Sequence, residues 1–421
     1  MIMPSFHSPA IKIRTLLPGA ILLGGLLLKS SAILAQNWIQ TAAPSTNWWA
    51  IASSADGNRL AAIAADKLYL SADAGASWSP SAAPSKGWMS VASSADGTKL
   101  FAGTFESSSA NPSGIFASFD SGATWTNLLA SNDSCFVAAS ADGARLVAVV
   151  TRNPSGPGHV LVSTNSGGSW AYPKAPDGKG FWPSAGGFCA ASSADGTHLA
   201  VAAAGGNIFT SQDSGLTWTK TSARSGMWLS IASSADGTRL VAATADSGVY
   251  VSADSGFTWT VTKLPRYAYW PSVASSSDGR RLAAAALGDN VYASADSGLT
   301  WQKANLPDGL WQAVASSADG SKLAAAIYSS TSDGTTFTPG PLYVLHSAAA
   351  PALRSVAAGD RALTLSWPLP SENLTLQHAT DPNASDWGTV TNPPVLNPTN
   401  LEYQVTMPLS GEHAFYRLQA P

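Results

Sequence analysis

Three observations predict an all-β fold built from repeated antiparallel units. One eight-residue phrase occurs six times, opening at Ser71, Ser118, Ser163, Ser211, Ser252 and Ser294 and closing at Trp78, Trp125, Trp170, Trp218, Trp259 and Trp301. Asp-Gly pairs at Asp56, Asp96, Asp142, Asp195, Asp236, Asp278 and Asp319 interlock with it, at spacings of 40, 46, 53, 41, 42 and 41 residues. Short apolar runs flank each pair without a helical period, as in Ile231 to Ala235 and Leu240 to Ala243 around Asp236-Gly237. Asp-Gly between two apolar runs is a strong hairpin cue. A period near 40 with β patterning belongs to the blades of a propeller.

Each element of a unit has a local reason. An inner strand runs into Ser-Ala-Asp-Gly, a second strand such as Leu240–Thr244 follows, and a third such as Val249–Ser252 enters the eight-residue phrase. The third place of that phrase is Asp73, Asp120, Asn165, Asp213, Asp254 or Asp296. A short acceptor there bonds backbone N–H groups of its own turn, and the Gly two residues on supplies positive φ. The Trp then opens an outer strand and offers a large packing face.

The phrase resembles the Asp box of sialidase-type and related β-propellers. The seven Asp-Gly repeats predict a seven-bladed ring spanning residues 36–347. Residues 37–48 mirror 77–88, so the first segment reads as an outer strand with no blade before it. The last repeat reaches residues 342–345 and has no phrase after it. Pairing 38–41 with 342–345 closes the ring and leaves no open sheet edge at the seam.

Residues 1–35 have the order of a signal peptide: Lys12 and Arg14, an apolar run over 16–28, then small residues up to Ala35. The apolar run is short for a membrane span. The chain is therefore expected to be exported (periplasmic, cell-surface or secreted), without stable membrane insertion after cleavage. Residues 348–421 read as a linker and a small β-sandwich, with alternating segments around Leu363, Leu374, Tyr403 and Phe415. Leu363-Thr-Leu-Ser-Trp367-Pro and Phe415-Tyr-Arg-Leu418 resemble the fibronectin-type-III-like modules that end many exported bacterial proteins.

Only 12% of residues are charged and the formal net charge is −3, so there is no basic field for nucleic acid or an anionic membrane. The six histidines show no metal-ligand spacing, and each phrase supplies one carboxylate where calcium takes six to eight oxygens. No metal or cofactor is expected.

Functional residues on such a ring are expected on the face opposite the Asp-Gly turns, where loops vary over a fixed scaffold. Trp48, Trp88, Trp228, Trp270 and Trp311 stand eight residues before an Asp-Gly Asp, with Ser134 and Gly187 in the corresponding places of repeats three and four. Those indoles either line the mouth and stack on sugar rings or other flat ligands, or wedge between blades. Two longer loops, 104–114 and 151–159, overhang the same face and carry Glu106 and Arg152 as further ligand-binding candidates. Sialidase chemistry needs an arginine cluster and a Tyr activated by Glu, yet Glu106 is the single propeller glutamate. Asp133, Asp177 and Asp308 are the carboxylates available for glycoside hydrolysis by an acid–base pair.

Cys135 and Cys189 lie on inner strands of adjacent blades, seven and six residues before their Asp-Gly Asp. That offset puts them on opposite sheet faces, so they are expected either to bridge or to pack as two buried thiols. The expected function is a non-catalytic binding module for an extracellular glycan, another polymer or a partner protein. A glycoside hydrolase and a structural or assembly factor are the alternatives, the last as in the propellers of photosystem assembly that share similar repeats.

Overall fold

The computed structural model describes residues 11–15, 21–22, 38–64, 66–105, 113–131, 133–151, 158–176, 182, 188–266, 268–331, 337–346, 354–357, 362–368, 375–379, 388–397, 402–408 and 414–419. Every regular element among them is a strand. The chain divides into two units, one made of Leu34–Ser347 and the other of Met1–Ile33 with Ala348–Pro421.

In the first unit, successive antiparallel meanders follow the repeat. Trp48–Ser53, Leu60–Ala64, Lys67–Ser71 and Ser79–Pro80 pair in order, as do Trp88–Ser93, Leu100–Thr104, Ser113–Ser118 and Thr126–Ser131. The later inner strands are Ser134–Ala139, Phe188–Ser192, Gly226–Ser233, Tyr269–Ser275 and Gly309–Ser316. Each inner strand packs beside the next, and Gly309–Ser316 packs beside Trp48–Ser53. The last meander takes its outer strand from the N-terminal side: Trp38–Gln40 pairs with Leu342–His346 in the register Trp38↔Leu345, Ile39↔Val344 and Gln40↔Tyr343.

The Asp-Gly turn is a closed local circuit. Ser54 Oγ donates to Asp56 Oδ1 and accepts from Arg59 N at 2.9 Å, while Asn58 N donates to Asp56 Oδ1 at 2.9 Å. The turns are also joined to one another. Ala55 N donates to Ala95 O at 2.8 Å, Ala95 to Ala141 at 2.7 Å and Ala141 to Ala194 at 2.7 Å. The series continues from Ala194 to Ala235 at 2.8 Å, to Ser277 at 2.7 Å, to Ala318 at 2.6 Å, and from Ala318 back to Ala55 at 2.8 Å. No local pattern announces these bonds, because each donor and acceptor lie about forty residues or more apart.

A second set of contacts runs the same way around. A Cβ built on Gly279, which has φ +66°, would stand 2.6 Å from Arg239 Cβ. The glycines of the other Asp-Gly turns lie under Arg59, Lys99, Arg145, His198, Arg281 and Lys322 in the same manner. These basic residues therefore clamp the neighbouring turn, and several also bond it, as Lys99 Nζ does to Asp142 O at 2.6 Å.

The eight-residue phrase folds as its residues require. Ser71 Oγ donates to Asp73 Oδ1 at 2.8 Å and accepts from Gly75 N at 2.8 Å, Ser77 N donates to Asp73 Oδ1 at 2.8 Å, and Trp78 Nε1 donates back to Gly75 O at 3.1 Å. Hydrogen bonds from the Ser77 side chain and backbone hold the Asp73 carboxyl down at about 2. Bonds from Thr124 do the same for Asp120, also at about 2. In the third copy Asn165 reproduces the turn, accepting from Ser169 N at 2.9 Å and donating through Nδ2 to Ser169 Oγ at 2.9 Å. The left-handed region is entered one residue earlier than the sequence indicates, with Ala74 at φ 57° and Ser214 at φ 59°, and then by the Gly.

The second unit packs two sheets. One orders Arg354–Ala357, Ala362–Pro368, Glu402–Pro408 and Val395–Asn397, and the other contains Thr375–Ala379 and Ala414–Gln419. Leu363, Leu365, Trp367, Leu376 and Val405 form its core. Ile11–Thr15, within the segment read as a signal peptide, pairs along Ala414–Gln419 with Ile11 opposite Tyr416.

Candidate binding face at the strand-entry mouth

The five entry indoles are all buried, with exposures from 0 to 3%. Trp48 lies 5.5 Å from Tyr69 and 6.3 Å from Trp78, in a cluster that also holds Ala313, Ala324, Ala326, Leu342 and Val344 of the last meander. Trp88 packs on Phe116 and Trp125, Trp228 on Tyr250 and Trp259, Trp270 on Tyr292 and Trp311 on Tyr343. They wedge between meanders and present no face to a ligand. The mouth-lining reading of Trp48, Trp88, Trp228, Trp270 and Trp311 is corrected accordingly.

A β-bulge decides which residue faces out instead. Trp48 pairs with Ala64 and Ala50 with Ile63, so Trp49 is an extra residue in the inner strand. A bulge re-aims side chains locally. Trp49 is 43% exposed, and its ring meets Tyr328 of the last meander edge-on at 5.1 Å. The same register shift leaves Met89, Leu229 and Gln312 as the extra residues of their strands. Phe105, 46% exposed, continues the second strand past Thr104, as Tyr328 follows Ile327. Met227 and Tyr269 are exposed on later inner strands, each three residues after an exposed arginine, Arg224 or Arg266. The exposed apolar side chains near the strand entries are thus Trp49, Phe105, Met227 and Tyr269, with the half-buried Tyr328 beside Trp49. The adjacent pair Trp48-Trp49 was the available signal; the fixed offset of eight selects its wrong member.

Repeat four does contain a wedge. Trp182 is buried at 1% exposure, with its ring 5.2 Å from Phe209 and 5.2 Å from Trp218. It stands thirteen residues before Asp195 rather than eight, so the fixed spacing passes over it. Trp182-Pro183-Ser184 matches Trp270-Pro271-Ser272, which was the signal to use.

The three candidate carboxylates precede the inner strands of three different repeats. Asp133 opens the third inner strand, where its N–H bonds Ser131 Oγ at 3.1 Å, and Asp177 lies outside the described residues. Asp308 is 3.2 Å from Lys303 Nζ, which also holds Asp289 at 2.7 Å. Bonds from Lys303 and then Asn290 keep the Asp308 carboxyl below its usual range, the wrong direction for a general acid at neutral pH. Burial, aided by its hydrogen bond to Asp289, pushes the Tyr292 phenol up to about 12. Glu106 and Arg152 also lie outside the described residues. Among the described residues, no three His, Cys, Asp or Glu side chains are grouped to hold a metal, and no helix is long and apolar enough to cross a membrane.

Both cysteines are free. Cys135 packs with Ile115 of the preceding meander and with Ala148, Val150 and Leu161 of its own. Cys189 packs with Ala200 and Ile208 of its own meander and with Trp228 of the following one. The two look away from each other, and Val147, Val149, Leu199 and Val201 fill the interface between their blades. The offset placed them on opposite sheet faces as expected; the facing sense rules out the bridge. Burial raises both thiols, that of Cys135 to about 12.

No family model matches the chain, and no curated protein matches it. Solved structures do. YCF48 bound to a D1 peptide shares 13% identity at a TM-score of 0.51, over 75% of this chain and 95% of that one. YCF48 from Cyanidioschyzon merolae shares 17% at 0.51, over 74% of this chain and 98% of its own. The β-propeller domain of Cps50 (Swd1) from Myceliophteria thermophila shares 13% at 0.54, over 74% and 99%. Together with the meanders they establish that this chain contains a β-propeller.

Proposed function

We propose that this chain is an exported, non-catalytic protein-interaction module. Its propeller is read as a ring of seven blades closed by the N-terminal strand, and its mouth takes an extended peptide segment of a partner. The circuit of turn hydrogen bonds that returns to Ala55, and the pairing of Trp38–Gln40 with Leu342–His346, support the closed ring. The observation that carries the binding reading is the exposed Trp49 against the half-buried Tyr328, a pair that spans the junction of the last and first meanders. Exposed aromatic rings suit an extended apolar segment. A structural neighbour bound to a peptide gives the same kind of partner. Export rests on the basic-then-apolar order of residues 1–35, and the Asp-box and fibronectin-type-III-like readings on the motifs themselves.

Peptide display on the purified chain tests this, with an array of extracellular glycans run in parallel. Selected peptides are expected to bind wild type and to lose about tenfold or more with Trp49→Ala or Tyr328→Ala, since interface hot spots cost at least about 2 kcal/mol. Retention of glycans but no peptide would replace this reading with a lectin-like one. Hydrolysis of a polysaccharide would replace it with the enzyme.

A further inference from the structure

We propose that the peptide partner binds as an added β-strand along one edge of a ribbon formed by Ser329–Thr331 and Phe337–Pro339. This inference rests on the peptide-binding reading above and specifies what is recognised: the backbone of an extended segment. The two strands pair in the register Ser329↔Pro339, Ser330↔Thr338 and Thr331↔Phe337, as a two-stranded sheet. Other meanders join their second and third strands by short turns, such as Gly206 to Ile208 and Asp289 to Val291. A ribbon of two strands is marginal by itself, and a third strand supports it.

Topology decides which edge is open. Lys322–Ile327 lies between Gly309–Ser316 and Leu342–His346. Ser329–Thr331 follows it after Tyr328, whose N–H donates to Leu310 O at 2.9 Å, and Phe337–Pro339 leads into Leu342–His346. Ser329–Thr331 therefore forms the inner edge of the ribbon, on the side of the inner strand. The outer edge is closed. Pro339 has no N–H, and the next residue, Gly340, is bonded in both directions to Thr46, each at 3.2 Å. On the inner edge no strand pairs with Ser329–Thr331 among the described residues. Exposed edges are commonly guarded by Lys or Pro, and Ser329, Ser330 and Thr331 are neither.

The occupant follows from what such an edge offers. Its row of N–H and C=O groups matches the backbone of an extended polypeptide, as in recognition by strand addition. The edge also begins beside the aromatic pair, since Tyr328 immediately precedes Ser329 and its ring meets Trp49 at 5.1 Å. Three residues supply few backbone bonds, so the rings add the contact area that the short edge lacks. Side chains of a strand alternate between two faces, so a partner segment needs apolar residues at every second position and no Pro in the paired stretch.

Backbone N-methylation of the peptide tests this without altering the protein. Peptides selected by display are remade with one N-methyl group at each position in turn and measured on the purified full chain. Affinity is expected to fall about tenfold or more at alternate positions, where an amide donor is lost, and to change little at the positions between. Hydrogen exchange is expected to slow at residues 329–331 when peptide is bound. If no peptide is selected, or binding ignores both Trp49→Ala and Tyr328→Ala, the peptide-binding reading fails and the added strand with it. If binding needs those rings but shows no alternation with N-methylation, or leaves exchange at residues 329–331 unchanged, the added strand alone is overturned.

Discussion

Position 48 and position 49 hold the same residue type in opposite roles. Trp48→Ala is expected to cost about 3–5 kcal/mol, the usual cost of emptying a buried aromatic site, whereas Trp49→Ala leaves the melting temperature nearly unchanged. Differential scanning calorimetry of the two variants checks this, and equal destabilisation would refute the bulge assignment. The cysteines give a second expectation at this scale. Native protein is expected to react with neither thiol at neutral pH, since burial raises both and the thiolate is the reactive form. Two thiols should titrate once the unreduced chain is unfolded; finding none there would contradict the free state. The eight-residue phrases supply a third. Their carboxylates are depressed in the fold, Asp73 and Asp120 to about 2. A depressed carboxylate contributes stability that is present above its unfolded value near 4 and is lost as pH falls toward 2. At Asp254 burial opposes the shift, but bonds from Thr258 and Ser252 outweigh it. Asp254→Asn should therefore fold, as Asn165 does in the third copy, and should flatten the loss of stability as pH falls below about 4. An unchanged acid-side slope in a pH series of melting curves would count against this.

Among the elements, the Asp-Gly turns do more than reverse the chain. Each turn bonds the next through its backbone and lies beneath a basic side chain from the preceding repeat. Gly279→Val would add a Cβ 2.6 Å from Arg239 Cβ at a φ of +66°. It is expected to destabilise the propeller by at least about 1–3 kcal/mol from backbone strain alone, measured by urea denaturation. The double variant with Arg239→Ala should relieve the contacts with Arg239 Cδ and Cγ, and keep the Cβ contact and the strain. Full additivity of the two changes would mean the clamp is not in contact.

On the scale of the whole molecule, the outer strand 38–41 serves the other end of the sequence. Its deletion should leave Leu342–His346 as an open edge and expose apolar surface on both sides of the seam. Loss of a single cooperative transition, seen as earlier and broader unfolding with aggregation, is the expected result. An unchanged transition would show that this strand adds nothing to the ring. The second unit enters separately. A leader removed on export would take Ile11–Thr15 from beside Ala414–Gln419, and mass spectrometry of the exported protein locates the cut.

Repetition made the architecture legible, because the Asp-Gly turns and eight-residue phrases act within a few residues of themselves. Their bonding, from Ser54 to Arg59 and from Ser71 to Trp78, follows from local chemistry. The candidate site was legible only as a face. A bulge at Trp49 depends on how an inner strand meets its neighbour, and a shift of one residue exchanges a buried wedge for an exposed ring. Trp182 reaches its place across an insertion that breaks the spacing. The direction in which Cys135 and Cys189 look depends on which side of each sheet the next blade occupies. The sequence by itself therefore determined the repeating unit and its all-β character. Which aromatic rings are buried and which thiols could meet were decided by packing between units, through contacts some forty residues or more apart that no local pattern encodes.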